Sequence, residues 1–154
     1  MADVTAAAGN EVNIRRVIRA PKDKVFHAWT NAADVEKWWG PGPVTCPSAH
    51  FDLSLGGRYH IANLDPDGTV TTVRGEFERI DAPHKLVYSW FMNAQPVGKG
   101  GSRVTVEFLE HAEGTEIVIR HERIATPEMA ENHRLGWEGC LDGLAEFFQA
   151  GQAA

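Results

Sequence analysis

Hydrophobic and polar positions alternate with a period close to two from residue 50 to residue 124, and the pattern then becomes helical. Before that stretch, Val12, Ile14 and Ile18 alternate with polar residues and predict a first strand over about Glu11 to Arg19. Pro21 opens a helix holding Val25, Phe26, Ala28 and Trp29, and Asn31 or Asp34 starts a second short helical turn with Val35, Trp38 and Trp39. Gly40-Pro41-Gly42-Pro43 stops it, because prolines so spaced cannot continue a helix. The alternating region divides into strands at Ala49–Leu53, Arg58–Leu64, Thr69–Asp81, Lys85–Phe91, Ser102–Glu110 and Thr115–Arg123. Asp65-Pro66-Asp67-Gly68, Asp81-Ala82-Pro83-His84 and Glu113-Gly114 supply turn chemistry between them, and Gly98 to Ser102 makes a looser hairpin.

The last element runs from Thr126 to Phe148. Thr126 suits an N-cap, Pro127 the first helical position, and Glu128 and Glu131 the positive end of the dipole. At roughly 100° per residue, Met129, His133, Trp137, Cys140, Leu141, Leu144, Phe147 and Phe148 share one arc. Arg134, Glu138, Asp142 and Glu146 take the opposite arc, and Gly136, Gly139 and Gly143 line a border. Each interior glycine costs on the order of 1 kcal/mol against alanine. Either the helix lies close against something there, or it leaves room for something.

Hairpin-linked strands imply an antiparallel sheet with one covered face, and only the C-terminal helix is long enough to cover it. The expected fold class is α+β: a curved antiparallel sheet of six to seven strands around a long C-terminal helix, with two short helices after the first strand. Residues 11–150 form one domain behind a disordered segment at 1–10. Such an arrangement often keeps a hollow between sheet and helix.

Composition narrows the partners. The 154 residues are 43% hydrophobic and 23% charged, the balance of a globular domain. A formal net charge of −6 and scattered basic residues exclude a nucleic-acid face. No segment approaches the roughly 18 apolar residues of a membrane span, and the first ten residues lack a signal-peptide pattern, so the expected location is cytoplasmic. Cys46 and Cys140 stand outside any CxxC pair and read as reduced thiols, Cys140 as a small buried hydrophobe.

Candidate chemistry is sparse. His133 reads either as a packed neutral imidazole or as a polar contact on a cavity wall. His121, on a strand face with Ile117 and Ile119, reads the same two ways. A His133–Cys140 dyad fails, because seven residues of helix separate them by about 10.5 Å. The histidines show no metal-ligand spacing, so no metal and no cofactor is expected. Gly98-Lys99-Gly100-Gly101-Ser102 lacks phosphate-loop spacing. If helical, Trp38 and Trp39 differ by about 100° and cannot point the same way, so one is expected to pin the short helix and the other either to line the pocket mouth or to cover the sheet. The residues expected at a ligand cavity are Trp38, Trp39, Tyr59, Trp90, Phe108, His121, His133, Trp137 and Cys140. Aromatic walls favour an apolar or aromatic small molecule.

Several local motifs carry a family likeness. They are Ala20-Pro21 with Val25-Phe26-His27-Ala28-Trp29-Thr30, Lys37-Trp38-Trp39-Gly40-Pro41, and Asp52-Leu53-Ser54-Leu55-Gly56-Gly57. Pro66-Asp67-Gly68, Gly75 before Leu86-Val87-Tyr88-Ser89-Trp90, Val104-Thr105-Val106, Gly114-Thr115 and Gly136-Trp137 complete the series. Over about Val12 to Phe148 the chain resembles the START-like (SRPBCC, helix-grip) superfamily, in the bacterial branch related to the C-terminal domain of the Hsp90 ATPase activator. The glycine-bordered helix, the aromatic wall and the lack of a catalytic signature point foremost to a hydrophobic-ligand binding module, and the resemblance implies the helix-grip fold. It also implies two alternatives: a stress or chaperone-associated interaction protein with a chaperone as partner, and a cyclase- or dehydratase-type enzyme using His133, His121 or Tyr59 for proton transfer. No catalytic constellation is assigned, and the expected state is monomer or homodimer.

Overall fold

The computed structural model describes residues 10–40, 43–92 and 101–153. The chain runs β1 (Asn10–Ile18), α1 (Lys22–Thr30), α2 (Ala32–Trp38), β2 (Ala49–Phe51), β3 (Arg58–Leu64), β4 (Val70–Asp81), β5 (Lys85–Met92), β6 (Ser102–His111), β7 (Gly114–Ile124) and α3 (Pro127–Ala153). The strands form one antiparallel seven-stranded sheet in the order β1-β7-β6-β5-β4-β3-β2. This is the expected α+β architecture. The expected N-terminal segment before Asn10, most of the Gly98 to Ser102 hairpin, and Pro41-Gly42 fall outside the described residues.

Period-two patterning has sorted the strands as residue chemistry demands. In β6, Val104, Val106 and Phe108 are buried while Arg103 bonds Glu78 on the other face at 3.0 Å. Two irregularities bend the sheet, since an extra residue on one strand locally raises twist. One lies on β4 between Phe77 and Arg79. The other lies on β7, where three steps from His121 to Ile124 oppose two steps of β1, with Arg123 at φ 63°.

Three helices share the covered face. α3 packs against β1, β7 and α2, while α1 lies on β6 and β7 and α2 meets β2. The expectation that only the C-terminal helix covers the sheet is therefore corrected: Val25, Phe26, Ala28, Trp29, Val35 and Trp38 of the short helices are core residues. They are few, but the aromatic ones bury large areas each. With α3 held over one side of the sheet and α2 over the other, space remains above β3 to β5.

Candidate functional site

α3 begins as its sequence predicts, with the Thr126 hydroxyl accepting from the Met129 backbone N–H at 3.1 Å. Its charged arc faces outward, where Arg134 bonds Glu131 and Glu138 and Asp142 meets Arg16 at 2.7 Å. The glycine border resolves into two different uses. A Cβ on Gly143 would sit 2.3 Å from the backbone oxygen of Trp38, so this glycine lets α2 and α3 touch. A Cβ on Gly136 would meet nothing within 4 Å, and Gly136 opens onto a cavity.

That cavity has a volume of about 750 Å³. Trp39 and Val44 come from the end of α2 and the loop after it, Asn63 and Asp65 from the end of β3, Thr71 and Val73 from β4, and Trp90 and Met92 from β5. Met129, Asn132, His133, Gly136, Trp137 and Cys140 close it from α3. Of the residues expected from sequence, Trp39, Trp90, His133, Trp137 and Cys140 line it. Trp38, Tyr59, Phe108 and His121 pack behind it.

Both adjacent tryptophans are buried, for a backbone reason. Trp39 has left the helix at φ −75°, ψ 140°, so the helical angle no longer separates the pair. Trp38 donates its indole N–H to the Ala28 carbonyl at 2.8 Å and pins α2. Trp39 turns to the cavity and donates to Asn63 Oδ1 at 2.7 Å. Asn63 in turn donates to the Thr71 carbonyl at 3.1 Å, which ties the loop to β3 and β4.

Behind the wall runs a second polar chain. Trp137 Nε1 lies 3.1 Å from His121 Nδ1, and His121 Nε2 lies 2.9 Å from Ser102 Oγ, which donates to the Trp90 carbonyl at 3.3 Å. An indole nitrogen only donates, so Nδ1 accepts and the His121 proton sits on Nε2. Burial, with a smaller effect from His133, pushes the His121 imidazole down to about 3. His121 is thus a neutral strut that orients Trp137 and joins it to β6 and β5.

His133 stacks on His121 with ring centroids 4.7 Å apart. Burial lowers its affinity for a proton as well, and among the described residues its ring nitrogens make no hydrogen bond. At neutral pH it is an uncharged imidazole whose one donor and one acceptor no described residue takes up at the cavity wall. Trp90 packs against both histidines and against Trp137, at centroid distances of 4.9, 5.8 and 5.4 Å. Its indole N–H is buried and, among the described residues, has no partner.

Of the other candidates for chemistry, Tyr59 is withdrawn behind the wall and Cys140 lines it as a protonated thiol. Tyr59 donates to the Ser89 carbonyl at 2.7 Å, and burial pushes its hydroxyl well above the usual range. Burial pushes the Cys140 thiol up to about 12, so it presents a small apolar surface.

Asn63, Thr71, Val73 and Met92 were not anticipated, although alternation carried the signal. Asn63 follows Tyr59 and Ile61 on one strand face, and Thr71 and Val73 precede Phe77 on another. Asp65 lies just past β3, and no periodicity marks Val44, which sits in a loop.

No curated protein matches the chain. Among solved structures, a protein from Chromobacterium violaceum is 24% identical at a TM-score of 0.75, over 89% of this chain and 96% of that one. An AHSA1-like protein from Aeromonas hydrophila is 23% identical at a TM-score of 0.75, over 94% and 95%. The AHSA1 protein from Silicibacter pomeroyi is 19% identical at a TM-score of 0.78, over 92% and 99%. These likenesses share the fold. The model of the family described as Activator of Hsp90 ATPase homolog 1-like protein matches residues 19–149, and the chain belongs to that family.

Proposed function

We propose that this domain binds a small apolar or aromatic molecule in the cavity between β3–β5 and α3. The observation that carries the reading is the wall itself: Trp39, Trp90 and Trp137 beside His133, around about 750 Å³. That volume lies within the roughly 300–1,000 Å³ typical of small-molecule sites. Apolar walls with few polar groups are what such sites use, the apolar part giving affinity and the polar part orientation. Trp39 and Trp137 are each held by a hydrogen bond on their indole nitrogen, so little side-chain freedom is left to lose when a ligand packs against them. His133 is the orienting group, since no described residue takes up its ring nitrogens.

Native mass spectrometry of the protein, with a panel of apolar aromatic compounds, tests the reading. A one-to-one adduct is expected, and NMR of the histidine rings should show His133 shifting while exposed His50 stays still. A panel that leaves the mass and the His133 signals unchanged contradicts it.

A further inference from the structure

The cavity is one-sided in its charge. Among the described residues its lining holds no Lys and no Arg, and its one carboxylate is Asp65. His133, kept short of protons by burial, adds no positive charge at neutral pH. A carboxylate or phosphate entering here would shed water, meet no counter-ion and face Asp65, and an unpaired charge in an apolar site is strongly disfavoured. Hydrogen-bonding capacity is nevertheless present. His133, on the wall, offers one donor and one acceptor that no described residue takes up. Such groups suit an uncharged oxygen, which they can satisfy without any ion pair.

Resting on the reading of this cavity as a ligand site, we infer that its ligand is an uncharged aromatic molecule carrying a hydroxyl or carbonyl oxygen, and that the cavity rejects the carboxylate or phosphate of the same skeleton. The aromatic part lies against the indoles, and the oxygen meets the His133 side of the wall. Discrimination comes from what the described lining lacks, a cation, as much as from what it supplies.

Four probes on one ring system separate these claims: pyrene, pyrenemethanol, pyrenecarboxylate and pyrenemethylammonium, titrated into the intact protein near neutral pH with tryptophan quenching as readout. Pyrenemethanol should bind at least about tenfold more tightly than pyrenecarboxylate and more tightly than pyrene, with pyrenemethylammonium no tighter than the alcohol. Asp65→Lys, at the end of β3, should raise affinity for the carboxylate. Equal binding of alcohol and carboxylate, tighter binding of the ammonium, or no gain for the carboxylate in Asp65→Lys overturns the charge assignment while the cavity stays a ligand site. Equal binding of pyrene and its alcohol overturns the oxygen assignment. If none of the four binds, this inference and the proposed function fall together.

Discussion

Trp137 donates its indole N–H to Nδ1 of His121 across 3.1 Å, from α3 to β7, and that bond sets the histidine's tautomer while burial keeps it uncharged. Adding a proton to Nδ1 would point two donors at each other in a buried site. The unfolded imidazole takes its proton near 6.5 and the folded one only near 3, so between those values the unfolded chain holds more protons. Stability therefore falls as pH drops from 6.5 towards 3, by up to about 1.4 kcal/mol per unit from this one group. Urea midpoints measured between pH 6.5 and 5, above most carboxylate titration, should show the loss. His121→Phe should flatten that slope; an unchanged slope would remove His121 as its cause.

Gly136 and Gly143 lie two helical turns apart on α3 and should respond oppositely to alanine. Gly143→Ala drives a methyl into the Trp38 carbonyl and should cost about 1–3 kcal/mol as α2 is pushed away. Gly136→Ala meets open space and should gain up to about 1 kcal/mol from helix propensity. Thermal melts of the two single variants check this, and the same sign for both would contradict the two assigned uses.

The glycine border shows how far the chain's pattern reaches. Periodicity places these glycines on one edge of α3, and their cost requires a purpose, but which glycine touches and which opens depends on where α2 crosses. The strands and helices were legible because alternation and the helical arc are local properties. The burial of both Trp38 and Trp39 was not, because it depends on the backbone leaving the helix at Trp39. Asn63 was legible in principle, by its alternation with Tyr59 and Ile61. Its meaning came only with Trp39 as a partner 24 residues away in sequence.

The Trp39–Asn63 pair should be energetically coupled. Asn63→Ala leaves the buried Trp39 N–H unpaired and should cost about 1–3 kcal/mol. In a Trp39→Phe background, which has no N–H to strand, the same substitution should cost clearly less. A double-mutant cycle by urea denaturation measures the difference, and strict additivity would mean the bond contributes nothing.

Cys46 and Cys140 are both buried and free, and burial pushes their thiols up to about 11 and about 12. Neither holds appreciable thiolate at neutral pH. Labelling with a thiol-specific disulfide reagent should be slow in the native protein and rapid in urea. Fast native labelling of either cysteine would contradict its enclosure.

On the proposed function, the space beside Gly136 holds a ligand. Gly136→Leu extends a side chain from a position whose Cβ has no neighbour within 4 Å, filling that space while keeping a good helix former in α3. Thermal-shift screening of an uncharged aromatic library should raise the melting temperature of the native protein and leave Gly136→Leu, folded as judged by circular dichroism, without a shift. A library that shifts neither protein, or shifts both equally, would contradict the account.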